Sequence, residues 1–339
     1  MKKPENQTQE KGKTAGDSLF HKFESSTKYI FYFYVTLCVL FIKSIYDIEV
    51  FYKKTNQPAT VLYEYFLWIP GAFFSWGLNK AVLVLCDSFI ERNMIEKNKY
   101  GESRQLHKYR IAKNIFSLAY YILASFFNFY LISKYQSDHL PVFFGGTLEI
   151  KTFLEVWPIN VDFKVRLFFL FSIGHHVERT SEQVFHTKKY YNFWTMLLHH
   201  VLTINLMVIC FAHRQYLFGI PILLVHDMTD IALCLMKIVR EIKFLKPMLM
   251  PSYFLCLVVW FIMRNWIFNF EVVIPMFKDV LWKAVMRHCW AHLFAVLGVF
   301  ILMVLNTYWL FALLHAGFKK IFYNIEQSVH EGESKSKTN

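Results

Sequence analysis

Residues 190–240 read YYNFWTMLLHHVLTINLMVICFAHRQYLFGIPILLVHDMTDIALCLMKIVR. Two apolar runs are joined by the short polar break His213-Arg214-Gln215. Each run is long enough to cross a hydrocarbon core of about 30 Å at a helical rise of about 1.5 Å per residue. The first carries His199 and His200, and the second carries His226, Asp227 and Asp230. Ionisable side chains inside membrane spans are costly, so these are expected to face an interior cavity and to pair with one another.

Helical spacing puts His226 and Asp230 on one face, with Asp227 on a neighbouring edge, and sets Thr203 one turn after His199. In an antiparallel hairpin, His199 lies about 9 Å beyond the start of its span at Phe193. Asp230 lies about 10 Å before Lys237 at the end of the other. The imidazoles and the last carboxylate therefore share a depth, and contact between them is expected.

Outward from this hairpin, the composition is that of a membrane protein. Of 339 residues, 55% are hydrophobic and 19% aromatic, and Phe alone accounts for 36. Such a chain suits spans and interfacial aromatic belts rather than a water-soluble domain. The net charge of +12 sits mainly between apolar runs, where membrane orientation explains it, so nucleic acid is not an expected partner. The six cysteines are scattered singly without a C-x-x-C pair and read as small buried hydrophobes.

Eight spans are expected in an all-α, polytopic bundle. Residues 1–28 form a polar tail. Residues 29–106 hold two spans and a linker: Tyr29 to Ile45, and Val61 to Cys86 with a break at Pro70-Gly71, followed by a charged stretch from Asp87 to Arg110. Residues 107–322 hold six more: Ile111 to Ser133, Val165 to Phe185, the two arms of the hairpin, Ser252 to Phe270 and His288 to Phe318. A long loop, Lys134 to Lys164, contains Gly145-Gly146 and Trp157-Pro158; residues 323–339 are a second polar tail. Alternate segments outside the spans differ more than twofold in Lys and Arg. The richer set, which includes both tails, is expected in the cytosol.

Several chemistries suit His-His facing His-Asp-x-x-Asp. The pair His226/Asp230 has metal-ligand spacing, but Asp227 is then unexplained. Di-iron hydroxylases use H-x-x-H-H boxes, whereas Met196 and Ser172 stand at the required positions before His199-His200 and His175-His176. Acyl transfer needs an imidazole as base or nucleophile and a carboxylate to support it, and it needs no metal.

The stretch Asn192-Phe193-Trp194-Thr195-Met196-x-x-His199-His200-x-x-Thr203, followed by Gly219, His226-Asp227-x-x-Asp230 and Lys237, resembles the signature of ceramide synthases within the TLC-domain superfamily. Trp157-Pro158, Arg264 and Leu305-x-x-Tyr308-Trp309 are further matches. The chain departs from the pattern at Tyr190-Tyr191-Asn192, Thr195, Leu217 and Cys234.

The resemblance implies a helical bundle around a lipid tunnel in the endoplasmic reticulum membrane. It also implies transfer of a fatty acyl group from acyl-CoA to the amine of a sphingoid base. Catalytic roles fall to His199, His200, Asp227 and Asp230, with His226, Thr203, Lys237 and Asn192 in support. The loop Glu271 to Arg287, with Pro275, Met276, Phe277 and Trp282, is expected to influence acyl length. Expected partners are fatty acyl-CoA, the sphingoid base, membrane lipid and a homo- or hetero-oligomeric chain; no cofactor is expected beyond acyl-CoA as co-substrate. The competing readings are a non-catalytic lipid-sensing or translocation-associated membrane protein and a metal-ion transporter. The terminal Lys335-Ser336-Lys337-Thr338-Asn339 resembles a cytosolic retrieval signal. Asn6-Gln7-Thr8 is a glycosylation sequon on the tail expected in the cytosol.

Overall fold

A computed structural model describes Lys43, Tyr46, Val50, Glu64 and residues 66–95, 104–135, 162–186, 193–281 and 290–323. The expected first span, most of the long loop, both tails, Asn192 and Trp282 lie outside the described residues. The described residues hold seven helices: α1 (Trp68–Asn93), α2 (Arg104–Tyr135), α3 (Phe163–His186), α4 (Phe193–Ala212), α5 (Tyr216–Glu241), α6 (Leu249–Trp260) and α7 (Trp290–Tyr323). Five helical stretches are long and apolar enough to cross a membrane: α1, α2, α4, the run Lys243–Lys278 through α6, and α7. The chain is thus a multi-pass helical membrane protein.

Helices α3 and α5 are not in that group, and their packing shows where their polar residues go. Helix α5 packs on α2, α6, α4 and α3, while α3 packs between α1 and α4. Glu178, Arg179, Glu182 and Asp227 are all buried, so the charges face protein rather than lipid, as the cost of charge in hydrocarbon requires. On α3, Glu182 accepts from Lys113 Nζ at 2.7 Å, Tyr109 at 2.7 Å and Arg179 at 3.1 Å. Arg179 also donates to Ser117 Oγ at 2.6 Å. On α5, Glu241 accepts from His107 Nε2 at 2.9 Å and from Arg110 at 3.4 Å. These pairs tie α3 and α5 to α2.

Helices α1 and α3 meet at backbone distance. A Cβ on Gly174 would collide with the Trp68 carbonyl and the Ala72 amide, so only glycine permits the approach. At the hairpin, the break expected at 213–215 is a tight turn, with Arg214 at φ 55° and the Gln215 amide donating to the Cys210 carbonyl at 2.8 Å.

Three boundaries differ from expectation. Pro70 does not break the second span. It occupies the first turn of α1, where its missing N–H costs nothing, and the helix runs past Cys86 to Asn93. The charged stretch after it is partly helical, and Lys108 of α2 bridges Asp87 and Glu91 of α1 at 2.6 and 2.9 Å. The expected loop from Glu271 is helical through Leu281: α6 continues as π-helix over Phe261–Val273 and again over Met276–Leu281. Pro275 sits at the junction of these segments, where the hydrogen-bond ladder already changes register.

Candidate functional site

The hairpin brings five of the predicted residues to one cavity. This cavity lies between α3, α4, α5 and α7, with Met276 in its wall. His199 and Thr203 line it from α4, and His226, Asp227 and Asp230 line it from α5. Their spacing of three or four residues keeps each set on one helix face, as the sequence implies.

The two histidines of the pair are not equivalent. His199 is 9% exposed and lines the cavity. Its ring packs edge-on to Trp309 at 5.1 Å and lies 6.3 Å from the His226 ring at an interplanar angle of 28°. His200 is its chain neighbour, with ring centroids 5.6 Å apart, and it is absent from the cavity wall. The Nδ1 atoms of both histidines and Oγ1 of Thr203 are buried without a hydrogen-bond partner among the described residues. Buried polar groups are normally satisfied, so His199 Nδ1 and Thr203 Oγ1 are the atoms a ligand or water in the cavity would meet.

The carboxylates take partners other than the expected ones. Asp230 accepts from Arg264 Nη2 at 2.7 Å, and Asp227 accepts from Asn128 Nδ2 at 3.1 Å. Neither bonds a histidine. His226 instead donates from Nδ1 to the Ile222 carbonyl at 2.9 Å. The shared depth holds, but at Asp230 the contact expected with an imidazole is replaced by a charge-assisted bond to a guanidinium.

Arg264 is the hub of this side of the site. Besides Asp230, it reaches the His226 carbonyl at 3.3 Å and, over a long 3.5 Å, Asn306 Oδ1. Its guanidinium lies 4.4 Å from the Trp260 ring. Asn306 Nδ2 approaches His226 Nε2 at 3.5 Å, and Phe268 packs edge-on to His226 at 4.9 Å. Arg264 and Phe268 both lie in the π-helical segment, a rare conformation that recurs at functional sites.

Among the supporting residues, Thr203 is in the cavity wall and Lys237 is not; Asn192 lies outside the described residues. Gly219 lines the cavity and packs against Phe169. Of the acyl-length residues, Met276 lines the cavity and is buried, whereas Phe277 packs against the apolar core beside it. Sequence reasoning passed over Asn128 and Asn306 as site residues. The signal was available, since a lone asparagine in an apolar span (FFNFY, VLNTY) is as conspicuous there as a histidine. His176 of α3, weighed in the sequence only as part of a histidine box that Ser172 leaves incomplete, also lines the cavity.

The TLC-domain family model matches residues 110–315, from the first turns of α2 to the latter part of α7. The chain belongs to the TLC-domain family. A ceramide synthase of Caenorhabditis elegans is 22% identical over 297 residues, covering 83% of this chain and 87% of that protein. A sphingosine N-acyltransferase-like protein of Gibberella moniliformis is 24% identical over 184 residues, covering 51% of this chain. The chain spans under half of that fungal protein, 46% of its length. The TLC match contains the hairpin, Asn128, His176, Arg264, Met276 and Asn306, and so takes in each of the cavity-lining and partner residues described above.

Proposed function

We propose that this TLC-domain protein is a ceramide synthase. It would transfer a fatty acyl group from acyl-CoA to the amine of a sphingoid base, in the membrane of the endoplasmic reticulum. One observation carries the reading. His199 and Thr203, one turn apart, line an apolar-walled cavity with buried polar atoms that have no partner among the described residues. The ceramide synthase and N-acyltransferase-like names of its relatives support the choice of substrates.

The chemistry follows from the placement. The thioester carbonyl enters beside His199, while the nucleotide stays in water and the tail lies along the apolar wall. The sphingoid amine arrives as an ammonium and must lose a proton before it attacks. The imidazole of His199, in the cavity wall, is placed to take it. The C–N bond forms as the C–S bond breaks. Of the two protons that the ammonium sheds, one ends on the coenzyme A thiol and one passes to solvent. Asp230 and Arg264 keep α5 and α6 in register, which places His226 against His199; they are positioning residues in this reading. The reading calls for no cofactor besides the acyl-CoA.

The test is an assay of membranes holding the full chain, with acyl-CoA and sphinganine, for amide product. Product formation that vanishes in His199→Ala supports the reading. Absence of product from the wild-type chain across acyl lengths would overturn it.

A further inference from the structure

The cavity has a second polar end. Its wall runs along α5 from Gly219 to Asp230, about 16 Å of helix. On α7 it runs from His292 to Leu302, about 15 Å along the axis. Between these ends the wall is apolar, formed by Leu206, Met207, Phe218, Leu223 and Val299. At the end far from His199, Gln215 and His292 both line it. Gln215 Nε2 lies 3.2 Å from His292 Nε2. An amide nitrogen only donates, so the imidazole nitrogen accepts, and the amide oxygen of Gln215 is left as an acceptor at the cavity end. His213, 2% exposed, stands behind them with its ring centroid 4.9 Å from that of His292.

We propose that Gln215 and His292 form a polar cap that recognises a hydroxyl group at the distal end of the acyl chain. The proposal rests on the acyltransferase reading. Coenzyme A is too polar to enter the apolar cavity, so an acyl group reacting at His199 extends its tail toward Gln215. A methyl end arriving there strips water from the Gln215 amide oxygen and returns nothing. A hydroxyl end donates to that oxygen and replaces the lost hydrogen bond. The cap thus selects by chemistry as well as by length, at the one chain length that reaches it.

Matched pairs of acyl-CoA, plain and hydroxylated at the terminal carbon, would be compared over a series of lengths with sphinganine and membranes holding the full chain. The expected ratio of kcat/KM, hydroxylated over plain, rises at one length to about tenfold, the worth of one good hydrogen bond. Gln215→Leu and His292→Phe are expected to bring that ratio near one while turnover of plain chains persists. A wild-type ratio near one at every length, or a ratio untouched in both variants, would overturn the proposal. So would a preference that follows a hydroxyl on the sphingoid tail instead. Absence of any amide product from the wild type would overturn the acyltransferase reading itself, and the proposal with it.

Discussion

Asp230 of α5 and Arg264 of the π-helical segment are joined by a 2.7 Å charge-assisted hydrogen bond beside the cavity. The Arg264 side chain is only 3% exposed. Removing one partner of a buried pair leaves the other charge uncompensated, at a cost of about 3–5 kcal/mol. Asp230→Asn is therefore expected to lower the melting temperature in detergent sharply. The double change Asp230→Asn with Arg264→Gln removes both charges and should recover most of the loss. Equal melting of single and double variants would show that the pair carries no such weight.

His199→Ala is expected to reduce N-acylation at least about a hundredfold, the scale of a lost general base, with the folded protein retained on size-exclusion chromatography. His200 lies off the cavity wall. Its loss is expected to lower turnover through the orientation of the adjoining ring, and His200→Gln should restore more activity than His199→Gln does. Near-normal turnover in both alanine variants would remove the histidines from the mechanism.

Met276, not an extended loop, is where the segment after α6 reaches the cavity. Met276→Trp is expected to shift the product profile toward shorter acyl chains and Met276→Ala toward longer ones. Discrimination per methylene is modest, about 1–3 kcal/mol, so the distribution moves without loss of total activity. Identical profiles from the two variants, read by mass spectrometry, would exclude Met276 from chain selection.

Gly174→Val places a branched side chain where α3 touches the α1 backbone. Since backbone cannot swing aside as a side chain can, the expected destabilisation is about 3 kcal/mol or more. Gly77→Ala, with open space where its Cβ would stand, is the control and should melt as the wild type does. A folded Gly174→Val protein of unchanged melting temperature would mean that the two helices separate there at little cost.

The hairpin, its turn and the faces of α4 and α5 were legible in the sequence because hydrophobic periodicity and the cost of buried charge are local rules. His199, Thr203, His226, Asp227 and Asp230 were placed together by spacing and depth and share the cavity, whereas His200, placed with them, lies off its wall. The helical state of Glu271 to Leu281 was not legible: Pro275 reads as a breaker in isolation, and only the π-helical ladder on either side accommodates it. Nor did spacing show which group each carboxylate would bind. Asp230 shares a face with His226, yet its partner comes from the π-helical segment after α6, and Asp227 finds Asn128 on α2. Periodicity specifies which way a side chain faces along its own helix. Which helix stands opposite, and at what height, is set by packing between distant segments, and that decided both the partners of the carboxylates and the polar end of the cavity at Gln215 and His292.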